Sequence, residues 1–138
     1  MRLLGLLLVL VFAACDSGAD DPLSGRYDVT LYDGGEVVAT GAVRLDVETD
    51  APGPAVISGR WRLDYARGEG ARGIAGEGFL RGTYSADTVR LSLLIGPEGK
   101  PELDSGVGLY GTLKNDEIRG EWGAGFGPGP LGSFVARR

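Results

Sequence analysis

The sequence predicts an all-β protein: an antiparallel up-and-down meander of about eight strands that closes, or nearly closes, into a barrel. Three observations predict it. Apolar residues recur at every second position over most of the chain, the period of a half-buried strand. All seven prolines, Pro22, Pro52, Pro54, Pro97, Pro101, Pro128 and Pro130, fall between those alternating rows, where a residue without a ladder donor belongs. The rows are joined by short turn-forming stretches, and no segment after the first fifteen residues carries a helical period.

Each row is identified by its inward side. Tyr27, Val29 and Leu31 alternate with Arg26, Asp28 and Thr30. Asp33-Gly34-Gly35 then signals a hairpin. Val37, Ala39, Gly41, Val43, Leu45 and Val47 form the second row, and Ile57, Gly59, Trp61, Leu63 and Tyr65 the third. The fourth is Ile74, Gly76, Gly78, Leu80, Gly82 and Tyr84, and the fifth Val89, Leu91, Leu93 and Ile95. Val107, Leu109, Gly111 and Leu113 make a sixth, and Ile118, Gly120, Trp122, Ala124 and Phe126 a seventh. Residues around Phe134 make the eighth. The stretch 82–90 aligns without gaps to 111–119, both reading Gly-Thr-apolar-x-x-Asp-x-apolar-Arg. Each copy is a strand end, a two-residue turn and a strand start, which pairs Tyr84 with Val89 and Leu113 with Ile118. A sheet with one apolar face must cover it, and closure into a barrel does so while removing edges. A two-sheet β-sandwich is the alternative. A bilayer-spanning barrel would need the apolar rows outside and the charges within.

Composition narrows the function. The chain has 138 residues, with 25 Gly, one Cys and no His, and a net charge of −5. No His-dependent relay, Cys/His zinc site or intrachain disulfide can be built from that inventory. An acidic domain is a poor partner for nucleic acid. Gly68-Glu69-Gly70-Ala71-Arg72-Gly73 and Gly106-Val107-Gly108-Leu109-Tyr110-Gly111 match Gly-x-Gly-x-x-Gly. Neither precedes a helix, and this much Gly produces such matches by composition. The carboxylates sit mainly at turns or on the polar side of the rows, and Asp16, Asp20 and Asp21 lack the spacing of a calcium loop. The expected role is therefore not enzymatic, with no metal and no cofactor.

The N-terminus has a different character. Met1-Arg2 is followed by an apolar run, Leu3 to Phe12, too short to span a bilayer, and then by Ala13-Ala14-Cys15 and the polar stretch from Asp16. Phe12-Ala13-Ala14-Cys15 resembles the lipobox of bacterial lipoprotein precursors, with Phe12 in place of the usual Leu. That resemblance implies a signal peptide over 1–14, lipidation of Cys15 with diacylglycerol and an N-acyl chain, and an acidic tether over 15–24. One barrel-like domain follows over 25–138. It places the protein in the bacterial cell envelope, anchored to membrane by lipid. Asp16 after the Cys matches an inner-membrane retention signal of enterobacterial lipoproteins, while the cluster Asp16, Asp20 and Asp21 equally matches surface export in other groups.

The meander and its Gly-rich closing strand resemble the calycin group, the lipocalin-like and avidin-like barrels. Ser24-Gly25-Arg26-Tyr27 lies near the lipocalin Gly-x-Trp position but carries Tyr27, and no ligand residue transfers by position. The candidate ligand-binding residues are the inward aromatics Tyr27, Trp61, Tyr65, Tyr84, Trp122 and Phe126. Beside them the inward glycines either permit tight curvature or leave room for a small apolar ligand. The competing expectation is a filled core in a structural or interaction lipoprotein whose partner is another envelope protein.

Overall fold

Eight strands follow one another around a closed barrel, each hydrogen-bonded to the next and the last to the first. The computed structural model describes residues 22–49, 53–65, 75–95, 102–124 and 129–138. The strands are β1 (Gly25–Asp33), β2 (Glu36–Glu48), β3 (Ala55–Tyr65), β4 (Gly76–Ser85), β5 (Thr88–Ile95), β6 (Glu102–Lys114), β7 (Glu117–Ala124) and β8 (Gly132–Arg137). Closure is made by β1 against β8, with Val29 opposite Ala136 and Leu31 opposite Phe134. That pairing removes both sheet edges and decides between barrel and sandwich.

The alternation does what the sequence predicts. Tyr27, Val29, Leu31, Val43, Leu45, Ile57, Trp61, Leu63, Leu80, Leu91, Leu93, Leu109, Ile118, Trp122 and Phe134 are all buried, and among the described residues no polar or charged residue is. The alternate positions carry the charges outward, the reverse of a bilayer-spanning barrel. Ala124, expected inside, is exposed at the end of β7.

Three hairpins turn on two residues with both central residues at positive φ, as a type I′ turn requires. They are Gly34-Gly35 (57° and 85°), Ala86-Asp87 (49° and 68°) and Asn115-Asp116 (51° and 63°). Tyr84 pairs with Val89 and Leu113 with Ile118. The first hairpin has a parity problem. A two-residue turn at 34–35 pairs odd-numbered residues with even-numbered ones, yet the inward rows of β1 and β2 are both odd. One extra residue must be inserted, and the register shifts between Leu31 and Tyr32, whose partners are Ala39 and Val37. Val38 is the extra residue. It packs against the core beside the place expected for Val37, while Tyr27 is brought opposite Val43.

The domain also begins earlier than the polar composition of 15–24 suggests. Leu23 is fully buried. Ser24 Oγ accepts a hydrogen bond from the Val47 amide at 3.2 Å. Leu23 and Ser24 are therefore part of the barrel.

Candidate functional site

The inward aromatics divide between the two ends of the barrel. Tyr27 and Tyr84 lie toward the end that holds the start of β1, the C-terminus and the turns at 86–87 and 115–116. Trp61 and Trp122 lie toward the other, with Tyr65, which pairs with Ala39 at the end of β3. The side chain of Tyr65 and all of Phe126 and Cys15 lie outside the described residues.

At the terminal end, the Tyr27 hydroxyl donates to the Leu23 carbonyl at 2.8 Å. The Arg138 guanidinium donates to the same hydroxyl at 2.8 and 3.2 Å and lies over the Tyr27 ring, 5.1 Å from its centroid. Arg138 also donates to the Pro22 carbonyl and pairs with Asp116 at 3.8 Å. Leu23 plugs this end and Arg138 ties the plug to the last strand. Tyr84 is half-buried and packs against the core. Tyr27 is thus committed to closing this end of the barrel, and Tyr84 to the packing beside it.

At the other end, two tryptophans repeat one arrangement. Trp61 stands opposite Gly78 on β4, and its indole N–H donates to the Leu94 carbonyl of β5 at 3.0 Å. Trp122 stands opposite Gly132 on β8, and its N–H donates to the Tyr32 carbonyl of β1 at 2.8 Å. In each case the indole reaches across a glycine to the strand beyond. A Cβ on Gly132 would sit 2.7 Å from Trp122 Nε1 and 1.8 Å from the Tyr32 carbonyl oxygen, and one on Gly78 would sit 3.3 Å from Trp61 Nε1 and 2.5 Å from the Leu94 carbonyl oxygen. Ile57-Ser58-Gly59-Arg60-Trp61 and Ile118-Arg119-Gly120-Glu121-Trp122 carry the two copies. They lie four strands apart, so β3-β4-β5 and β7-β8-β1 are related by half a turn of the barrel.

The inward glycines are covered rather than empty. Added Cβ atoms would sit 1.9 Å from the Arg62 carbonyl oxygen at Gly41, 1.8 Å from that of Arg44 at Gly59 and 2.0 Å from that of Arg90 at Gly82. At Gly120 the Tyr110 carbonyl oxygen is 1.8 Å away, and at Gly111 the Phe134 ring is 2.9 Å away. At these places a neighbouring strand folds over the inner row. The glycines permit curvature, and the volume they give up is taken by backbone.

The outer surface holds what the inward rows did not suggest. A groove of about 470 Å³ over β1–β4 is bordered by Arg26, Arg44, Arg60, Arg62 and Glu77, with Ala42 between them. A second, of about 350 Å³, lies by the 115–116 turn beside Glu117 and Arg119. There Glu117 accepts from Arg119 and, at 2.6 Å, from Arg137 on β8. The Arg119 contact first, then that of Arg137, holds the Glu117 carboxyl below its ordinary value, and Glu117 raises Arg119 in turn. Among the described residues no three His, Cys, Asp or Glu side chains gather as a metal site, and no helix is long and apolar enough to cross a membrane.

No family model, curated protein or solved structure matches the chain.

Proposed function

We propose that the chain is a lipid-anchored protein of the bacterial cell envelope whose barrel is a filled, rigid body presenting its outer face to partners. The anchor rests on Phe12-Ala13-Ala14-Cys15 after a short apolar run. Acyl chains on Cys15 meet the two-signal requirement for stable anchoring. Fully extended at about 3.5 Å per residue, the stretch from Cys15 to Pro22 keeps the plugged end of the barrel within roughly 25 Å of the membrane. The calycin resemblance fits the meander, but the interior favours a different use from ligand carriage.

The observation that carries the filled-core reading is the pair of tryptophan–glycine contacts. An indole available to a ligand would offer its N–H or its face to open space. Here both N–H groups are satisfied by backbone carbonyls, and both rings lie against a glycine backbone. A small apolar ligand held among Tyr27, Trp61, Tyr84 and Trp122 would have to displace these contacts.

Two measurements test the proposal. With Cys15→Ala the protein is expected to leave the membrane fraction, and continued partitioning would sink the anchor. Titration of the native protein with an apolar fluorescent probe is expected to leave tryptophan emission unchanged. A saturable shift that disappears in Trp61→Phe or Trp122→Phe would restore the apolar-ligand reading.

A further inference from the structure

The outer face of β1–β4 carries a charge pattern that the barrel does not need for its own stability. Arg26 stands directly opposite Arg44, and Arg44 directly opposite Arg60. Arg62 faces Ala42 on one side and Glu77 on the other. Opposed side chains on neighbouring strands start about 4.5–5.5 Å apart, and like charges at that spacing destabilise a sheet. Three arginines in a row are thus a cost in the free protein. Composition does not force it, because the chain is acidic overall, with 14 basic and 19 acidic residues.

Nearby groups compensate only weakly. Arg26 lies 3.5 Å from Asp28 and Arg62 lies 3.8 Å from Asp64, with each of these side chains about 70% exposed or more, where a pair is worth little. Asp46 and Glu77 stand on the same outer face. Arg60 lies over the Phe79 ring, 4.7 Å from its centroid, a stack that uses the guanidinium face and leaves its N–H edge to donate. Arg44 makes no ion pair with a described residue. Ala42 is short, so the surface dips between Arg44, Arg60 and Arg62 into the groove of about 470 Å³, within the size range of small-molecule sites.

We infer that this groove binds a phosphate group, held between Arg44 and Arg60 with Arg26 and Arg62 at its sides. Guanidinium forks match phosphate oxygens two at a time, and a multiply charged anion is what relieves a row of like charges. The rim carboxylates Asp28, Asp46, Asp64 and Glu77 confine the positive region. The ligand is therefore a compact phosphate or pyrophosphate group on a small molecule or a lipid headgroup, and not a nucleic-acid backbone. The site does not depend on the lipid anchor, so failure of one leaves the other standing.

The test uses the full chain at low salt, with inorganic pyrophosphate as probe and thermal unfolding as readout. Pyrophosphate is expected to raise the unfolding midpoint of the wild type and of Arg90→Ala, which lies on β5 outside the groove. The Arg44→Ala/Arg60→Ala variant is expected to bind at least tenfold more weakly. Without pyrophosphate that variant should unfold close to the wild-type midpoint, because breaking the like-charge row offsets the lost Phe79 stack, so lost binding is not lost folding. Vesicles of phosphatidylcholine with phosphatidic acid, tested in a Cys15→Ala background, separate the two sources. Retention that needs Arg44 and Arg60 puts the phosphate on a lipid, and pyrophosphate binding without retention puts it on a soluble molecule. Absence of any wild-type response to millimolar pyrophosphate, an undiminished response in the double variant, or an equal loss in Arg90→Ala overturns the site.

Discussion

Ala86 is the residue most clearly at odds with its backbone. Its φ of 49° lies in the left-handed region that costs an L-residue with a Cβ about 1–2 kcal/mol, and it is exposed, with no packing to hold it there. The equivalent position in the other copy of the repeat is Asn115, at φ 51°, and Asn suits a type I′ turn. Ala86→Asn is therefore expected to stabilise the protein by about 0.5–1 kcal/mol, read as a rise in urea midpoint at constant slope. Gly120 presents the opposite case. A Cβ there would meet the Tyr110 carbonyl oxygen at 1.8 Å and Gly111 Cα at 2.5 Å, backbone that cannot turn aside. Gly120→Ala should cost more than about 3 kcal/mol. Gly123→Ala on the same strand, whose nearest neighbour is at 3.3 Å, should cost less than about 1 kcal/mol. The sequence shows that Gly120 lies on the inward row. It does not show whether that row opens on a cavity or on another strand, because the answer lies in the curvature of β6.

At the scale of elements, the alternation placed every strand and both copies of the repeated turn, because those signals are local. The bulge at Leu31/Tyr32 reconciles a two-residue turn with two odd-numbered rows, a conflict that shows only once turn and rows are paired. The Trp61–Gly78–Leu94 and Trp122–Gly132–Tyr32 contacts were not. Each joins a strand to the second strand beyond it, and only register places the glycine under the indole. The arginine row was hidden for the same reason: Arg26, Arg44 and Arg60 are unremarkable outward residues until β1–β2 and β2–β3 are aligned. Register also sets the ion pairs of Glu117. Glu117 opens β7 opposite Lys114 and Arg137, and accepts from Arg119 and Arg137. Its carboxyl is held below the ordinary value of 4.5. A carboxylate with a lowered folded-state value contributes stability above its unfolded value, and that contribution is lost as pH falls through the lower, folded one. Glu117→Gln should therefore lower the unfolding midpoint at about pH 7. The gap from wild type should narrow as pH falls below 4.5, and it should shrink with added salt, because Arg119 and Arg137 are exposed. A gap unchanged by both pH and salt would show that Glu117 acts through packing instead.

Over the whole molecule, closure brings the first strand to the last, and that pairing leaves no trace in any local window of sequence. Barrel and sandwich share the same rows, and the choice is made by Leu31 opposite Phe134 and Val29 opposite Ala136. Leu23 shows the same limit. It sits in a polar stretch that reads as tether by composition, yet the closed barrel has an end to fill, and Leu23 fills it. Tyr27 and Arg138 meet around it, the one accepting from the other while donating to the Leu23 carbonyl. Under the proposed lipid anchor, the chain would enter the barrel through a structural residue, and a pull on it would be felt first at this plug. If so, Leu23→Ala costs about 2–5 kcal/mol, the range for emptying a buried leucine site, whereas the same change at exposed Pro22 costs less than about 1 kcal/mol. Urea denaturation of the two variants side by side decides it. Equal midpoints would return Leu23 to the tether and leave the end of the barrel to be held by Tyr27 and Arg138 alone.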